Sequence, residues 1–486
     1  KSHAADAPQS RESKVAPVSA VTVSFDSGTL LLDFGDVPPT GDTLPFLRFD
    51  ERVNLWRANA SDYAPLLRIL YAEKRDVQDC AKAYAELPGL SLCNGFKPMP
   101  HQAKALDAWL KAKGRGLVVM PTGSGKSFLA VLAILAVKRS ALVIAPTIDL
   151  VQQWASSLQR ALGMEVGMLG GGSKEVRDIT VSTYDSAVIM MEYIGNRFGI
   201  VIYDECHHLP GPVNRLAASM CLAPYRLGLT ATPERDDGGE TVIYRLVGPL
   251  VCEIFIDELE GRVLSPYETH RIAVPLTPEE AEEYETARKI YTGFVRANGI
   301  NFKARDGWNQ FIMMTARRPG GRAAFEAYLR QRAIARCGKG KLEAIWHILI
   351  RHKTERTIIF TADNDAAYAI GNHFCFPVIT HKTKAGERKE FLDRFRSGEY
   401  RVLVTSKVLN EGVDVPEAAV GIVVSGSGSS REHVQRLGRI LRASEGKQAE
   451  LYELISEGAS EVYVSDRRRQ HRAYEGKDSG METEPC

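Results

Sequence analysis

The sequence predicts an α/β protein with a doubly wound parallel sheet, and three observations predict it. Short apolar runs at 116–119, 141–145, 179–182, 200–203 and 227–232 alternate with helix-like stretches, the pattern of strands joined by helical crossovers. The first run leads into Met-Pro-Thr-Gly-Ser-Gly-Lys-Ser at 120–127, which is followed by an apolar helix-like run at 128–135. The chain has 486 residues, of which 44% are hydrophobic, enough for about three domains with ordinary cores.

Composition narrows the function classes. Lys+Arg number 62 against 60 Asp+Glu, so any nucleic-acid contact must come from local basic faces and not from overall attraction. Eight cysteines are scattered without a CxxC pair, which argues against zinc and fits free thiols in a reducing compartment; Cys206 is read as a passive thiol. No apolar run approaches the roughly 20 residues of a membrane span, and the polar start lacks the core of a signal peptide. The expectation is a soluble, cytoplasmic protein without membrane contact. The chain opens on Lys1, which leaves room for a native start upstream.

Residues 1–20 are rich in Ala, Ser, Pro and charge and are read as a disordered lead. Strands at 21–25 and 29–34, then a helix at 62–70 capped by Ser61, make residues 21–92 a small α/β module. It carries no recognisable chemistry and is read as a docking or substrate-contact module. Gln102, just ahead of a helix, has the amide needed to read the edge of adenine; a solvent-facing helix-start Gln is the alternative.

The loop at 120–127 is where chemistry begins. Gly123 and Gly125 let the backbone N–H groups of Thr122, Ser124 and their neighbours turn inward on a phosphate, and the following helix adds its positive N-terminal end. Lys126 reaches the terminal phosphates and Ser127 offers a hydroxyl to a phosphate-bound Mg²⁺. In parallel sheets ligands collect at the carboxyl ends of strands. Thr147 and Thr183 fall at two such ends and Thr405 at a third, so these hydroxyls are candidate nucleic-acid phosphate contacts. The apolar strand at 200–203 runs into Asp204 and Glu205. A phosphoryl-transfer site needs an Asp for Mg²⁺ and a Glu to orient and deprotonate water at this place. His207 and His208 follow, with no further cluster to complete a zinc set.

From residue 97 to 442 the chain resembles superfamily 2 helicases, and within them the archaeal and bacterial XPB-type DNA helicases. The strings that carry this are DECHHLP at 204–210, LTATPERDDG at 229–238 and SGSGSSREHVQRLGRILR at 425–442. Met120, in place of the usual leading Gly, points to the same branch. The resemblance implies two RecA-like P-loop NTPase lobes with a small N-terminal α/β module and a helical thumb insertion, ATP hydrolysis with Mg²⁺, DNA as substrate, and 3′ to 5′ movement. The family's Arg-Glu-Asp element stands here as Arg235-Asp236-Asp237, with a middle side chain one methylene shorter. Arg235, held by one of these carboxylates, is placed against the last base pair of a fork; a loop salt bridge is the alternative.

Between the lobes, Tyr284, Ala287, Tyr291, Phe294 and Val295 recur at helical spacing and are read as core. Residues 296–336 hold nine Lys/Arg against two Asp/Glu, an excess of seven that the near-neutral total conceals. Lys303, Arg305 and Trp308 lie in it, combining cations and ring faces that suit a nucleic-acid strand; a solvated basic face is the alternative. In the second lobe, strands are expected near 357–361, 400–405 and 420–425. The fifth and sixth helicase motifs follow the last two, with Gly412 and Asp414 on the nucleotide and Arg439 and Arg442 as arginine fingers.

The division expected is 1–20 lead, 21–92 damage-recognition-like module, 93–258 first lobe, 259–340 linker and basic thumb, 341–466 second lobe, and 467–486 tail without packing residues. The function expected is an ATP-driven DNA helicase or duplex translocase, monomeric and nucleoid-associated, serving repair or transcription. Motor of a restriction or nuclease assembly, RNA helicase and ATP-gated DNA-binding scaffold stand as alternatives, the first calling for a nuclease partner protein.

Overall fold

The computed structural model describes residues 20–93, 95–231, 238–259, 265–302, 304, 306–406, 418–425, 449–457 and 478–482. The first module contains β1 (Val21–Asp26), β2 (Thr29–Asp33), β3 (Arg48–Asp50), β4 (Leu55–Asn59), α1 (Tyr63–Ala72) and β5 (Val77–Asp79). Its sheet runs β3-β4-β2-β1-β5, three strands more than the sequence pattern suggested. The β1–β2 connection is two residues, Ser27 and Gly28, both at positive φ (46° and 80°). That backbone matches the twist of the paired strands, and Gly adopts it at little cost. Tyr63, Leu66 and Leu70 of α1 cover Val21, Val23, Leu30 and Leu32. Ser61 does not cap this helix; it lies inside a 3-10 turn, Ala60–Asp62, that precedes it. Leu222 from the next unit completes this core, and Asn196 Nδ2 donates to Ala81 O at 2.9 Å.

The next unit comprises α2 (Pro100–Lys111), β6 (Arg115–Val119), α3 (Lys126–Val137), β7 (Ala141–Ala145), α4 (Ile148–Leu162), β8 (Gly167–Gly170), β9 (Ser173–Lys174), β10 (Ile179–Thr183), α5 (Tyr184–Ile194), β11 (Ile200–Tyr203), α6 (Arg215–Ser219), β12 (Tyr225–Thr230), α7 (Glu240–Leu246) and β13 (Leu250–Glu253). The sheet order is β13-β6-β12-β11-β7-β10-β8-β9, parallel except for the β8–β9 pair. Every residue of β7 and β11 is buried. Helices cover both faces, which is why these strands read as continuous apolar runs without alternation. Chain order reverses between β6 and β7, so the carboxyl ends of β6 and β11 open onto the crevice where such sheets bind ligands.

The chain continues through α8 (Ile256–Leu259), β14 (Tyr267–Val274), α9 (Pro278–Ala297), α10 (Gly307–Arg317), α11 (Gly321–Cys337), α12 (Lys339–Arg351), β15 (Thr357–Phe360), α13 (Asn364–Phe374), β16 (Val378–Ile379), α14 (Ala385–Ser397), β17 (Val402–Thr405), β18 (Val420–Val423), β19 (Ala449–Ser456) and β20 (Asp478–Glu482). The second sheet runs β16-β17-β15-β18-β19-β14-β20. Four of its strands, β14, β16, β19 and β20, were not anticipated. β14, within the stretch read as linker, pairs in parallel with β19 over eight residue pairs, and β20, within the stretch read as an unpacked tail, pairs with β14. A strand's edge hydrogen bonds come from backbone, so polar side chains do not disqualify a segment from pairing.

Helices α9 to α11 form the insertion. Thr277 and Glu280 make a capping box at the start of α9, with Pro278 at its first turn. Tyr284 and Ala287 are buried, while Tyr291 packs against Phe302, Phe311 and Tyr328. Lys341, buried at the start of α12, donates to Ala335 O (2.9 Å) and Val424 O (2.7 Å). It thus joins the end of α11 to the second sheet.

Arg226 on β12 is fully buried. Its guanidinium donates to Ala223 O (3.1 Å), Ala218 O (3.0 Å), Leu246 O (2.9 Å) and Cys221 O. Ala218 and Leu246 lie in the last turns of α6 and α7, where carbonyls lack helical partners and carry partial negative charge. One planar cation therefore closes two helix ends. Arg226→Met keeps the stem and removes the donors, leaving those carbonyls buried and unsatisfied. Urea unfolding is expected to show a loss of about 3 kcal/mol; an unchanged midpoint would remove Arg226 from the fold's supports.

Candidate nucleotide site

The glycine loop leaves β6 and enters α3. Gly123 and Gly125 both sit at φ 84°, the left-handed backbone that turns successive N–H groups to one side. Ser124 Oγ donates to Pro121 O at 2.7 Å. The start of α2 clamps the loop from behind: His101 Nε2 donates to Ser124 O at 2.8 Å and Gln102 Nε2 to Gly125 O at 3.2 Å. Gln102 Oε1 accepts from Met99 N at 3.0 Å. The amide expected to read adenine therefore holds the loop to α2. A Cβ on Gly125 would lie 2.3 Å from Gln102 Nε2, so only Gly permits this approach. Thr122 is half-buried, and Ser127 is exposed in the first turn of α3.

Opposite the loop, β11 ends in Asp204 and Glu205. Lys126 Nζ donates to Glu205 Oε1 at 3.2 Å, with both side chains about one-tenth exposed. Glu205 itself has φ 43°, a left-handed backbone that costs a non-glycine residue on the order of 1 kcal/mol. His207 Nδ1 lies 3.5 Å from Glu205 Oε2 and 3.2 Å from Thr230 Oγ1 at the end of β12. Asp204 is buried; its Oδ2 accepts from Trp154 Nε1 at 2.7 Å and its Oδ1 from Glu205 N at 3.0 Å. Burial and the Glu205 charge push the Asp204 carboxyl up to about 6, against the pull of Lys126 and the indole. Burial likewise pushes the Cys206 thiol up, as befits a packing residue. Hard oxygen donors from Asp204 and Ser127 suit Mg²⁺, and the cradled loop with Lys126 suits a polyphosphate, so the residues present fit both groups.

Thr147 and Thr183 stand at the ends of β7 and β10 as predicted. Each caps a helix, Thr147 Oγ1 accepting from Leu150 N and Thr183 Oγ1 from Ser186 N. Thr405, at the end of β17, is fully buried and its hydroxyl donates to Ser406 O at 2.9 Å, which is not the exposed hydroxyl a phosphate contact calls for. Trp308 is 43% exposed and packs on Tyr328 (5.3 Å) and Phe311 (5.6 Å), so one face belongs to the core of the insertion. The basic excess is partly neutralised. Arg322 pairs with Glu326, Arg330 with Glu283 and Arg336 with Asp363, while Arg332 lies over the Tyr328 ring at 5.2 Å. Lys303, Arg305, Arg235, Gly412, Asp414, Arg439 and Arg442 lie outside the described residues. Sequence reasoning missed His101 and Trp154. His101 precedes Gln102 directly; for Trp154 the sequence offers only that a buried indole usually finds an acceptor, which Trp109 satisfies equally with a backbone carbonyl. Among the described residues there is no group of His, Cys, Asp or Glu that could hold a metal by itself, and no helix is long and apolar enough to cross a membrane.

A phosphate loop and an acidic pair at the carboxyl edge of one parallel sheet, followed in the chain by a second such sheet, define a two-lobed P-loop NTPase of the helicase kind. Solved structures agree on the fold: the Pyrococcus furiosus Hef helicase domain (TM-score 0.52, 19% identity, 76% of this chain and 98% of that one) and Saccharomyces cerevisiae Dbp5 bound to RNA and ADP BeF3 (TM-score 0.55, 14% identity, 86% and 92%). Family models match at residues 95–235 (type III restriction enzyme, res subunit), 325–478 (ERCC3/RAD25/XPB C-terminal helicase) and 23–81 (xeroderma pigmentosum group B helicase damage recognition domain). The chain belongs to the XPB family of helicases. It is 38% identical over 426 residues to the DNA 3′-5′ translocase XPB2 of Sulfurisphaera tokodaii, covering 88% of this chain and 96% of that protein. It is 31% identical to the DNA 3′-5′ helicase XPB of Mycobacterium tuberculosis, covering 79% of this chain and 65% of that longer protein.

The burial of Thr405 has a measurable consequence. Thr405→Val is expected to leave DNA affinity within about twofold and to lower stability by about 1 kcal/mol, one hydrogen bond's worth. Weaker DNA binding at unchanged stability would return Thr405 to the nucleic-acid contacts.

Proposed function

We propose that this chain is an ATP-driven DNA helicase or duplex translocase moving 3′ to 5′, working in DNA repair or transcription. The observation that carries the reading is the meeting of Lys126, Asp204 and Glu205 at one edge of the first sheet, with Lys126 and Glu205 3.2 Å apart. Lys126 and the N–H groups around Gly123, Ser124 and Gly125 bind the triphosphate, and His101 and Gln102 keep that loop in place. Ser127 and Asp204 would hold Mg²⁺, which when bound would polarise the phosphoryl oxygens. Glu205, fixed between Lys126 and His207, takes the proton of the attacking water. Gly412 and Asp414 complete the nucleotide contacts, and Arg439 and Arg442 stabilise charge on the transferred phosphoryl. On the DNA side, Thr147 and Thr183 contact phosphates, and Lys303, Arg305 and Trp308 grip the strand. The chain works as a monomeric motor, any strand cleavage being left to a separate nuclease, since its sequence holds no carboxylate-lysine nuclease cluster.

Steady-state turnover and nucleotide binding test these roles together. Glu205→Gln should retain ATP binding and lose hydrolysis, because an amide orients water but cannot accept its proton. Lys126→Ala should weaken binding itself, and Arg439→Ala should lower turnover by about 10³-fold at near-parent affinity. A Glu205→Gln protein that hydrolyses ATP at the parent rate would remove Glu205 as base. Strand separation is tested apart from hydrolysis at Arg235, proposed to meet the fork. Arg235→Ala should keep DNA-stimulated ATPase within a few-fold and slow displacement of a 3′-tailed duplex, and displacement at the parent rate would make that loop structural.

A further inference from the structure

Helix α4 carries three contacts that no role above joins. Its N-terminal cap is Thr147, proposed above to contact DNA phosphate. Asp149, in its first turn, accepts from Arg388 Nη1 at 2.9 Å, and Arg388 belongs to α14 in the second lobe, its side chain 18% exposed. Trp154, further along the same helix, donates to Asp204 Oδ2 at 2.7 Å.

The two fully packed indoles of the first lobe differ in what they bind. Trp109 Nε1 donates to the backbone carbonyl of Arg226 at 2.9 Å, which satisfies the ring and does nothing more. Trp154 Nε1 donates to a carboxylate oxygen. An indole is a donor only, so this contact occupies one carboxylate oxygen of Asp204 and fixes the plane of its carboxyl group; Glu205 N holds the other oxygen. Trp154 is held in turn by the buried face of α4, with Val151, Ala155, Leu158, Ala161 and Leu162. A close-packed helix passes a displacement at one end to the other without absorbing it.

We infer that Trp154 is a positioning residue for the metal carboxylate, and that α4 transmits the placement of the second lobe, through Arg388 and Asp149, to Asp204. Hydrolysis is thereby tied to lobe closure on DNA by a route that does not pass through the nucleotide. The inference rests on the proposed role of Asp204 as the Mg²⁺ ligand.

The test measures binding of fluorescent N-methylanthraniloyl-ADP with and without Mg²⁺, using the full chain. Trp154→Phe keeps the ring and loses the donor. It is expected to reduce the affinity gained from Mg²⁺ by about tenfold, the usual scale for removing a support of a metal ligand, with Mg²⁺-free affinity within about twofold of the parent. Trp109→Phe should keep the full Mg²⁺ gain. Asp204→Asn should lose it, and if it does not, the site reading fails before the inference is reached. If Asp204→Asn loses the gain but Trp154→Phe keeps it, or loses Mg²⁺-free affinity equally, Trp154 is structural and the inference is overturned. The transmission is read from DNA stimulation of ATPase. Arg388→Gln and Trp154→Phe should each reduce stimulation several-fold, and the double variant should lose no more than the worse single one. Losses that multiply, or an Arg388→Gln protein stimulated like the parent, would sever α4 from the coupling.

Discussion

Two carboxylates at the end of a fully buried strand are the constraint on which the first lobe depends. β11 has no exposed residue, so Asp204 and Glu205 emerge where water is scarce and their charges repel. Desolvation of this kind costs several kcal/mol per ion unless donors are provided. Two of the partners come from distant parts of the chain, Lys126 from the loop after β6 and Trp154 from α4, and two are local, the amide of Glu205 and His207, which also lies beside Thr230 of β12. Satisfying one acidic pair thus ties together β6, β11, β12 and α4. The left-handed backbone of Glu205 belongs to the same arrangement, a strained residue retained where its carboxylate must be aimed.

Buried cations repeat the logic elsewhere with the opposite sign. Arg226 and Lys341 have their hydrogen bonds to backbone carbonyls, several of them at helix ends. A helix terminus presents partial charge without a counter-ion of its own, and a long cationic side chain can reach two such termini at once. Arg226 does this within the first lobe; Lys341 reaches one helix end, at Ala335 of α11, and the carbonyl of Val424 just past β18 of the second sheet. The lobes and the insertion are therefore joined by polar contacts of defined geometry as well as by apolar packing.

The insertion shows how a local charge count is reduced by folding. The excess of seven positive charges over 296–336 is spread along α10, α11 and their connections; α11 pairs Arg330 with Glu283 of α9 and Arg336 with Asp363 at the start of α13, while Arg322 pairs with Glu326 one turn along its own exposed face. Such pairs on partly exposed surfaces contribute little to stability, but they orient the side chains. Arg332, lying on Tyr328, is fixed by a ring in the same way.

Much of the first lobe was legible in sequence because both of its signals are local. A buried parallel strand needs an unbroken apolar run, and a phosphate loop needs closely spaced glycines, here Gly123 and Gly125, so the core strands, Lys126, Asp204 and Glu205 could all be read from neighbours in the chain. The second lobe was less legible. β14 and β20 join its sheet through backbone pairing to strands far away in sequence, and backbone hydrogen bonds leave no side-chain signature. Thr405 showed the same limit at one residue: a threonine at a strand end reads alike whether it is exposed or buried, and only the fold shows that this one is buried. The partners of Gln102 and Trp154 were decided at the same level. The sequence by itself determined which residue types stand at which strand ends; the tertiary structure decided which of them meet, because a hydrogen bond between residues 154 and 204 depends on how helix α4 packs across the sheet and not on anything either residue's neighbours encode.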